Sequence, residues 1–274
     1  MRAFVLAALL FASPLAAQTR CGEIVTIDPP AGGKFALSIA MPDAKPSAVL
    51  ILLPGGNGLA DLDDDGCARA LKGNSLIRAI PEFNKGGAVT ALADAPADWR
   101  GRDGLATFRA EAAHAEALGV AIAEMRKRFG VPVWLLGTSR GAISAANAAS
   151  RLAGDARPDG VVITSPVSAG ARANQPWVLH DVFMFPLDRI AVPLLVLGHA
   201  KDLCLRSPPA NVPRIADKAT ASPRKQAAIM EGGPGSNAKP GDLAACEGRQ
   251  PHGFLDQESD MAAGILRFVA GGAF

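Results

Sequence analysis

Charge of one sign is what this sequence most plainly lacks: 28 Lys and Arg stand against 26 Asp and Glu, a formal net charge of +2. Both signs are scattered, so there is no basic stripe for nucleic acid and no polybasic patch for anionic lipid. No nucleic-acid partner is expected. Beyond the N-terminal segment, no apolar run reaches the roughly 20 residues that a bilayer span needs, so the mature chain should carry no membrane span. No two cysteines stand at C-x-x-C spacing and no histidine cluster accompanies them, which argues against zinc. Neither a metal nor an organic cofactor is expected. Internal repeats and low-complexity linkers are missing as well.

What is present suits a sizeable buried core, since 49% of residues are apolar and 20% charged. The first residues read as a signal peptide over 1–17: Arg2 supplies the positive start, Ala3 to Ala12 the apolar stretch, and Pro14-Leu15-Ala16-Ala17 the small-residue exit. The mature protein, 18–274, is then secreted or periplasmic and is read as a single domain. Cys21, Cys67, Cys204 and Cys246 form an even set in an oxidising compartment, so two disulfides are expected. Of the three possible pairings, proximity along the chain favours Cys21 with Cys67 and Cys204 with Cys246. The run of Asp61, Asp63, Asp64 and Asp65 reads as a solvated loop, because the D-x-D-x-D-G pattern lacks the glutamate that ends a calcium loop.

Strands are predicted at 23–28, 35–41, 48–53 and 88–93, the third almost continuously apolar and therefore suited to burial on both faces. A helix follows over 108–129, with Gly130 and Pro132 as its stop. Then strands at 131–136, 161–164, 193–197 and 226–230 alternate with helices at 142–152, 215–220 and 256–269. Such alternation implies one doubly wound α/β sheet flanked by helices. Two irregular stretches, 165–189 and 232–252, stand out as candidate functional loops.

Gly137-Thr138-Ser139-Arg140-Gly141 matches G-x-S-x-G, with a buried-strand run before it and a small, helix-competent run after it. Strand, sharp turn and helix is the setting of a nucleophile elbow, which makes Ser139 the candidate nucleophile. A serine hydroxyl needs a base to take its proton and a third group to orient the base, in the chain order Ser, Asp or Glu, His. His252, just before the last helix, is the candidate base. His180 sits in a loop, His199 reads as a structural residue at a strand end, and His114 as an exposed residue on a helix face. Asp202 follows the strand at 193–197 and is the candidate acid, with Asp181 and Asp188 as rivals. The oxyanion donors are expected to be the N–H of Arg140 and one from the loop Leu53-Pro54-Gly55-Gly56-Asn57-Gly58, with Gly56 ahead of Asn57.

On these motifs the sequence resembles the α/β-hydrolase superfamily, and its Pro251-His252-Gly253-Phe254 segment and small lid resemble the dienelactone-hydrolase-like branch. It departs from that branch in carrying Ser139 where dienelactone hydrolases carry Cys, and from many lipases in carrying Pro54 where they have His. The resemblance implies a serine hydrolase with a minimal lid, acting through an acyl-enzyme on a small-molecule or polymeric ester, and assumed monomeric. Trp99 and Trp177 are the candidate aromatic walls of its cleft. A peptidase or amidase of the same fold and a non-catalytic binding member are the alternatives.

Overall fold

A computed structural model describes residues 20–30, 33–101, 103–169 and 180–274. The expected signal segment and Trp177 lie outside the described residues. Eight strands, β1 (Glu23–Ile27), β2 (Phe35–Ala40), β3 (Ala48–Leu53), β4 (Ala88–Ala93), β5 (Val133–Thr138), β6 (Gly160–Thr164), β7 (Leu194–His199) and β8 (Lys225–Met230), form one sheet in the order β1-β2-β4-β3-β5-β6-β7-β8. The pairs β1/β2 and β2/β4 are antiparallel and every later pair is parallel.

Every residue of β3, β4, β5, β6 and β7 is buried. That is why these strands read as unbroken apolar runs, because helices cover both faces of a parallel sheet. One face carries α3 (Ala112–Phe129), α4 (Gly141–Arg151) and α5 (Asn211–Lys218), packed on Val49, Ile51, Leu135 and Val196. The other carries α1 (Ser75–Arg78), α2 (Ile80–Lys85) and α6 (Glu258–Val269), around Leu50, Leu52, Leu136 and Phe268. β8, at the sheet edge, alternates in exposure. Among the described residues no helix is long and apolar enough to cross a membrane.

The helix expected over 108–129 is interrupted at its start. Phe108–Ala110 forms a 3₁₀ turn, Glu111 is extended at ψ 152°, and α3 begins at Ala112. The side-chain amide of Asn147 on α4 donates to the carbonyls of both Arg109 (2.9 Å) and Glu111 (2.7 Å), holding the break in place. At the other end Gly130 closes α3 in the left-handed conformation, φ 64°, with its N–H on the Arg126 carbonyl. The short helix before β8 begins at Asn211, four residues ahead of the position its apolar spacing suggests.

His114 corrects the sequence reading: it is 6% exposed and meets Phe108 edge-on at 5.1 Å between ring centroids. Burial, and then the charge of Arg109, push its pKa down to about 3. Above pH 6.5 the imidazole is neutral in folded and unfolded chains alike and contributes no pH dependence. Below 6.5 the unfolded chain takes up a proton that the folded state refuses until about pH 3, so stability falls through that window. By pH 5 the loss from this group is about 2 kcal/mol. Urea unfolding at pH 7 and pH 5 should therefore show a larger drop for the unaltered protein than for His114→Leu; equal drops would contradict this.

Candidate active site

The C-terminal ends of the parallel strands are where an open α/β sheet presents its functional loops, and four such ends converge here. The segment after β5 makes a sharp turn with Ser139 at φ 52°, a left-handed conformation that a serine adopts only when its surroundings hold it there. Its N–H donates to the Thr164 carbonyl on β6 (2.9 Å), and its own carbonyl accepts from Ala142 (3.1 Å) and Val167 (3.3 Å). The glycines on either side are required by close approach. A Cβ on Gly141 would overlap the Leu53 carbonyl oxygen, and one on Gly137 would overlap the carbonyl of Gly141. Strand and helix thus approach too closely at these two positions for any residue but glycine, with Ser139 at the turn between them.

Asp202 follows β7 and is 7% exposed; His252 sits in the 3₁₀ turn Pro251–Gly253 ahead of α6 and is 3% exposed. The structure brings the two together across 50 residues of chain, with His252 Nδ1 2.9 Å from Asp202 Oδ2. The other carboxylate oxygen accepts the Cys204 N–H at 2.8 Å, so both oxygens are committed. A carboxylate can only accept, which assigns the imidazole proton to Nδ1 and leaves Nε2 with a free lone pair. Nε2 is buried and has no hydrogen-bond partner among the described residues. His252 and Ser139 line the same cleft, of about 360 Å³.

The histidine at the end of β7 is engaged elsewhere, as its structural reading implies. His199 Nδ1 accepts the Lys201 N–H (3.1 Å) and its Nε2 lies 2.8 Å from Gln257 Oε1, so it is a structural link between β7 and the start of α6. Asp181 caps a 3₁₀ turn through the Phe183 N–H at 2.9 Å.

The cysteines pair as Cys21–Cys67 and Cys204–Cys246. The second bridge joins the residue that holds Asp202 to the loop leading into His252. It also removes the thiol from the Asp202, Cys204 and His252 cluster, which would otherwise offer a metal three ligand atoms.

The loop after β3 faces the elbow. A Cβ on Gly55 would lie 2.9 Å from Ser139 Cβ, so only glycine allows the loop this close. Gly56 lines the cleft, at φ 59°. Neither the Gly56 nor the Arg140 N–H has an acceptor among the described residues. Asn57 is not among the residues lining the cleft; its carbonyl accepts from Leu105 (2.9 Å) and its Oδ1 from Leu59 (3.1 Å), while its N–H also has no acceptor among the described residues. Trp99 is stacked on Phe108, 4.7 Å between centroids, in a small apolar cluster with Leu105; it is not among the residues lining the cleft of Ser139 and His252.

Two groups that sequence reasoning missed support these loops. Asp94, buried at the end of β4, accepts the N–H groups of Ala60 (2.7 Å), Asp61 (3.1 Å) and Leu62 (3.2 Å) and pairs with Arg100 at 2.9 Å. Asp61, expected in a solvated run, pairs with Arg69 and Arg100. Arg78 donates to the carbonyls of Gly248 (2.8 Å) and Gly253 (2.7 Å) on either side of His252, and pairs with Glu258 at 2.6 Å. Only a strand-end position hints at Asp94; nothing local marks Arg78.

Neither a family model nor any curated protein sequence matches the chain. Solved structures do. They include an α/β serine hydrolase homologue from Coxiella burnetii, at 16% identity and TM-score 0.57, over 92% of this chain and 100% of that one. A member of the α/β serine hydrolases without a lid, from Xanthomonas campestris, matches at 14% identity and TM-score 0.54, over 93% and 95%. A thermophilic esterase from the Planctomycetes species Thermogutta terrifontis matches at 16% identity and TM-score 0.57, over 90% and 92%. What is shared at these identities is architecture, and the chain has the α/β-hydrolase fold.

Proposed function

We propose that the protein is a serine hydrolase that cleaves carboxylic esters through an acyl-enzyme, with Ser139 as nucleophile, His252 as general base and Asp202 as the orienting acid. The observation that carries this reading is the buried Asp202–His252 pair, whose Nε2 has no partner among the described residues and whose histidine lines the same cleft as a serine on a strained elbow. Ser139 Oγ would attack the ester carbonyl carbon while its proton passes to His252 Nε2. The developing oxyanion would be met by the N–H groups of Arg140 and Gly56. Collapse breaks the ester bond, and the alcohol leaves with the proton from His252. Water then repeats the sequence on the acyl-enzyme and releases the acid. The hydrolase and esterase folds among the similar structures support this class of reaction, and the two disulfides support export to an oxidising compartment.

Among the described residues that line the cleft, Leu71 is the only one with a long apolar side chain; the others are largely glycine and polar residues such as Asn74, Glu247 and Arg249. These residues offer a long chain few apolar side chains to pack against, and apolar transfer is worth about 0.8 kcal/mol per buried CH₂ only where there is surface to bury it. The substrates are therefore short-chain esters or accessible ester bonds of larger molecules. In a p-nitrophenyl ester series kcat/KM should fall from butyrate to palmitate, with no activation at a lipid interface. A maximum at palmitate would overturn the short-chain assignment, and absence of ester turnover across the whole series would overturn the esterase.

A further inference from the structure

Arg109 is the largest of the fully buried side chains, 1% exposed, and among the described residues no carboxylate lies within ion-pair distance of it. A buried cation without a counter-charge is costly to keep, so what it touches is informative. Nη2 donates to the Pro54 carbonyl (3.0 Å) and Nη1 to Ser144 Oγ (2.8 Å). Pro54 opens the loop that carries Gly55 and Gly56. Ser144 lies in the first turn of α4, four residues beyond Arg140. One planar fork therefore spans the two segments that bear Gly56 and Arg140, whose N–H groups have no acceptor among the described residues. The clamp is itself held, since Asn147 on α4 donates to the Arg109 carbonyl at 2.9 Å. Gly58 leaves room for it: a Cβ there would stand 2.5 Å from Nη2.

We propose that Arg109 is a positioning residue for the oxyanion hole, setting the separation of the Gly56 and Arg140 amides without touching substrate. This rests on the reading of Ser139 as the nucleophile. Burial, and then the nearby charge of Arg140, lower the Arg109 pKa to about 9, so the guanidinium stays protonated at neutral pH and both bonds persist. The rigid fork matters as much as the charge, because a lysine ammonium on its flexible stem lacks the fixed pair of donors that reaches both acceptors at once.

The test compares the unaltered protein with Arg109→Met, Arg109→Lys and Ser144→Ala, the last removing one acceptor and leaving the guanidinium in place. Each is assayed with p-nitrophenyl butyrate for kcat and KM, and with an alkyl trifluoromethyl ketone, whose serine adduct carries an oxyanion. Arg109→Met should lower kcat by about 100-fold with KM nearly unchanged, the loss that a displacement of about 1 Å brings. Ketone affinity should weaken by the same factor. Arg109→Lys should recover part of the loss, and Ser144→Ala should lose about fivefold in kcat, a fraction of what deleting one oxyanion donor outright costs. Should Arg109→Met fail to fold, the other two variants decide. Unchanged kcat in both, or a rise in KM with ketone affinity preserved, would overturn the positioning role. Absence of turnover and of ketone binding in the unaltered protein would instead overturn the esterase, and this inference with it.

Discussion

Ser139→Ala is expected to leave the fold intact and to remove ester turnover, with a loss on the order of 10³-fold or more. The substitution deletes one hydroxyl at a half-buried position whose backbone is held by hydrogen bonds to three neighbours, so unfolding curves should be nearly superimposable. His252→Ala should be almost as severe, because nucleophile and base act as a unit and either deletion removes the same step. Its cost in stability should be larger, since the Asp202 carboxylate would stay buried with one oxygen unpaired. The two variants are to be compared at a temperature where circular dichroism shows both folded. Turnover above about a hundredth of the unaltered rate in either, with contaminating hydrolase excluded, would remove Ser139 and His252 from these roles.

Loss of the Cys204–Cys246 bridge carries the second large effect. Closing a loop of 42 residues in the unfolded chain is worth about 4 kcal/mol in the chain-entropy model. In a chain of this size that corresponds to a fall in Tm of about 10 °C. The bridge also ties Cys204, whose N–H holds Asp202 Oδ1, to the loop that enters the His252 turn. Cys204→Ala with Cys246→Ala should therefore lose activity below the new Tm as well as stability, and kcat should fall more than KM rises. Removing Cys21 and Cys67, which join β1 to the loop after β3 and do not touch the cleft of Ser139, should lower Tm and leave kcat largely unchanged. Equal kinetic effects from the two double variants would contradict the coupling of the second bridge to the acid and base loops.

Much of the architecture was readable because its determinants are local. The Val49 to Leu53 run has no polar residue to turn toward water, which forces a strand covered on both faces. The glycines at 137 and 141 follow from steric demands confined to one turn. Asp202 follows β7 and His252 lies between β8 and α6, so chain order and loop placement suggest a pair that the structure brings to hydrogen-bond distance. The residues that escaped notice act across long separations. Arg109 and Arg78 each meet carbonyls that no spacing pattern relates to them, 55 residues away for Pro54 and 170 for Gly248. His114 was misplaced for a different reason: the first turns of α3 are so rich in alanine that they show little contrast between a buried and an exposed face. Trp99, an aromatic after a strand end, suits a cleft wall by its place in the chain, and the 3₁₀ turn brings Phe108 beside it as a stacking partner that no local spacing signals.

The most direct measurement is covalent labelling with a fluorophosphonate followed by peptide mass mapping of the intact, disulfide-bonded protein. One phosphonyl group per chain should appear, on the peptide containing Ser139, and labelling should collapse in His252→Ala, where the serine has no base to take its proton. A label on another residue, or none at all on protein that is folded and free of prior adducts, would contradict the assignment of Ser139 as the nucleophile.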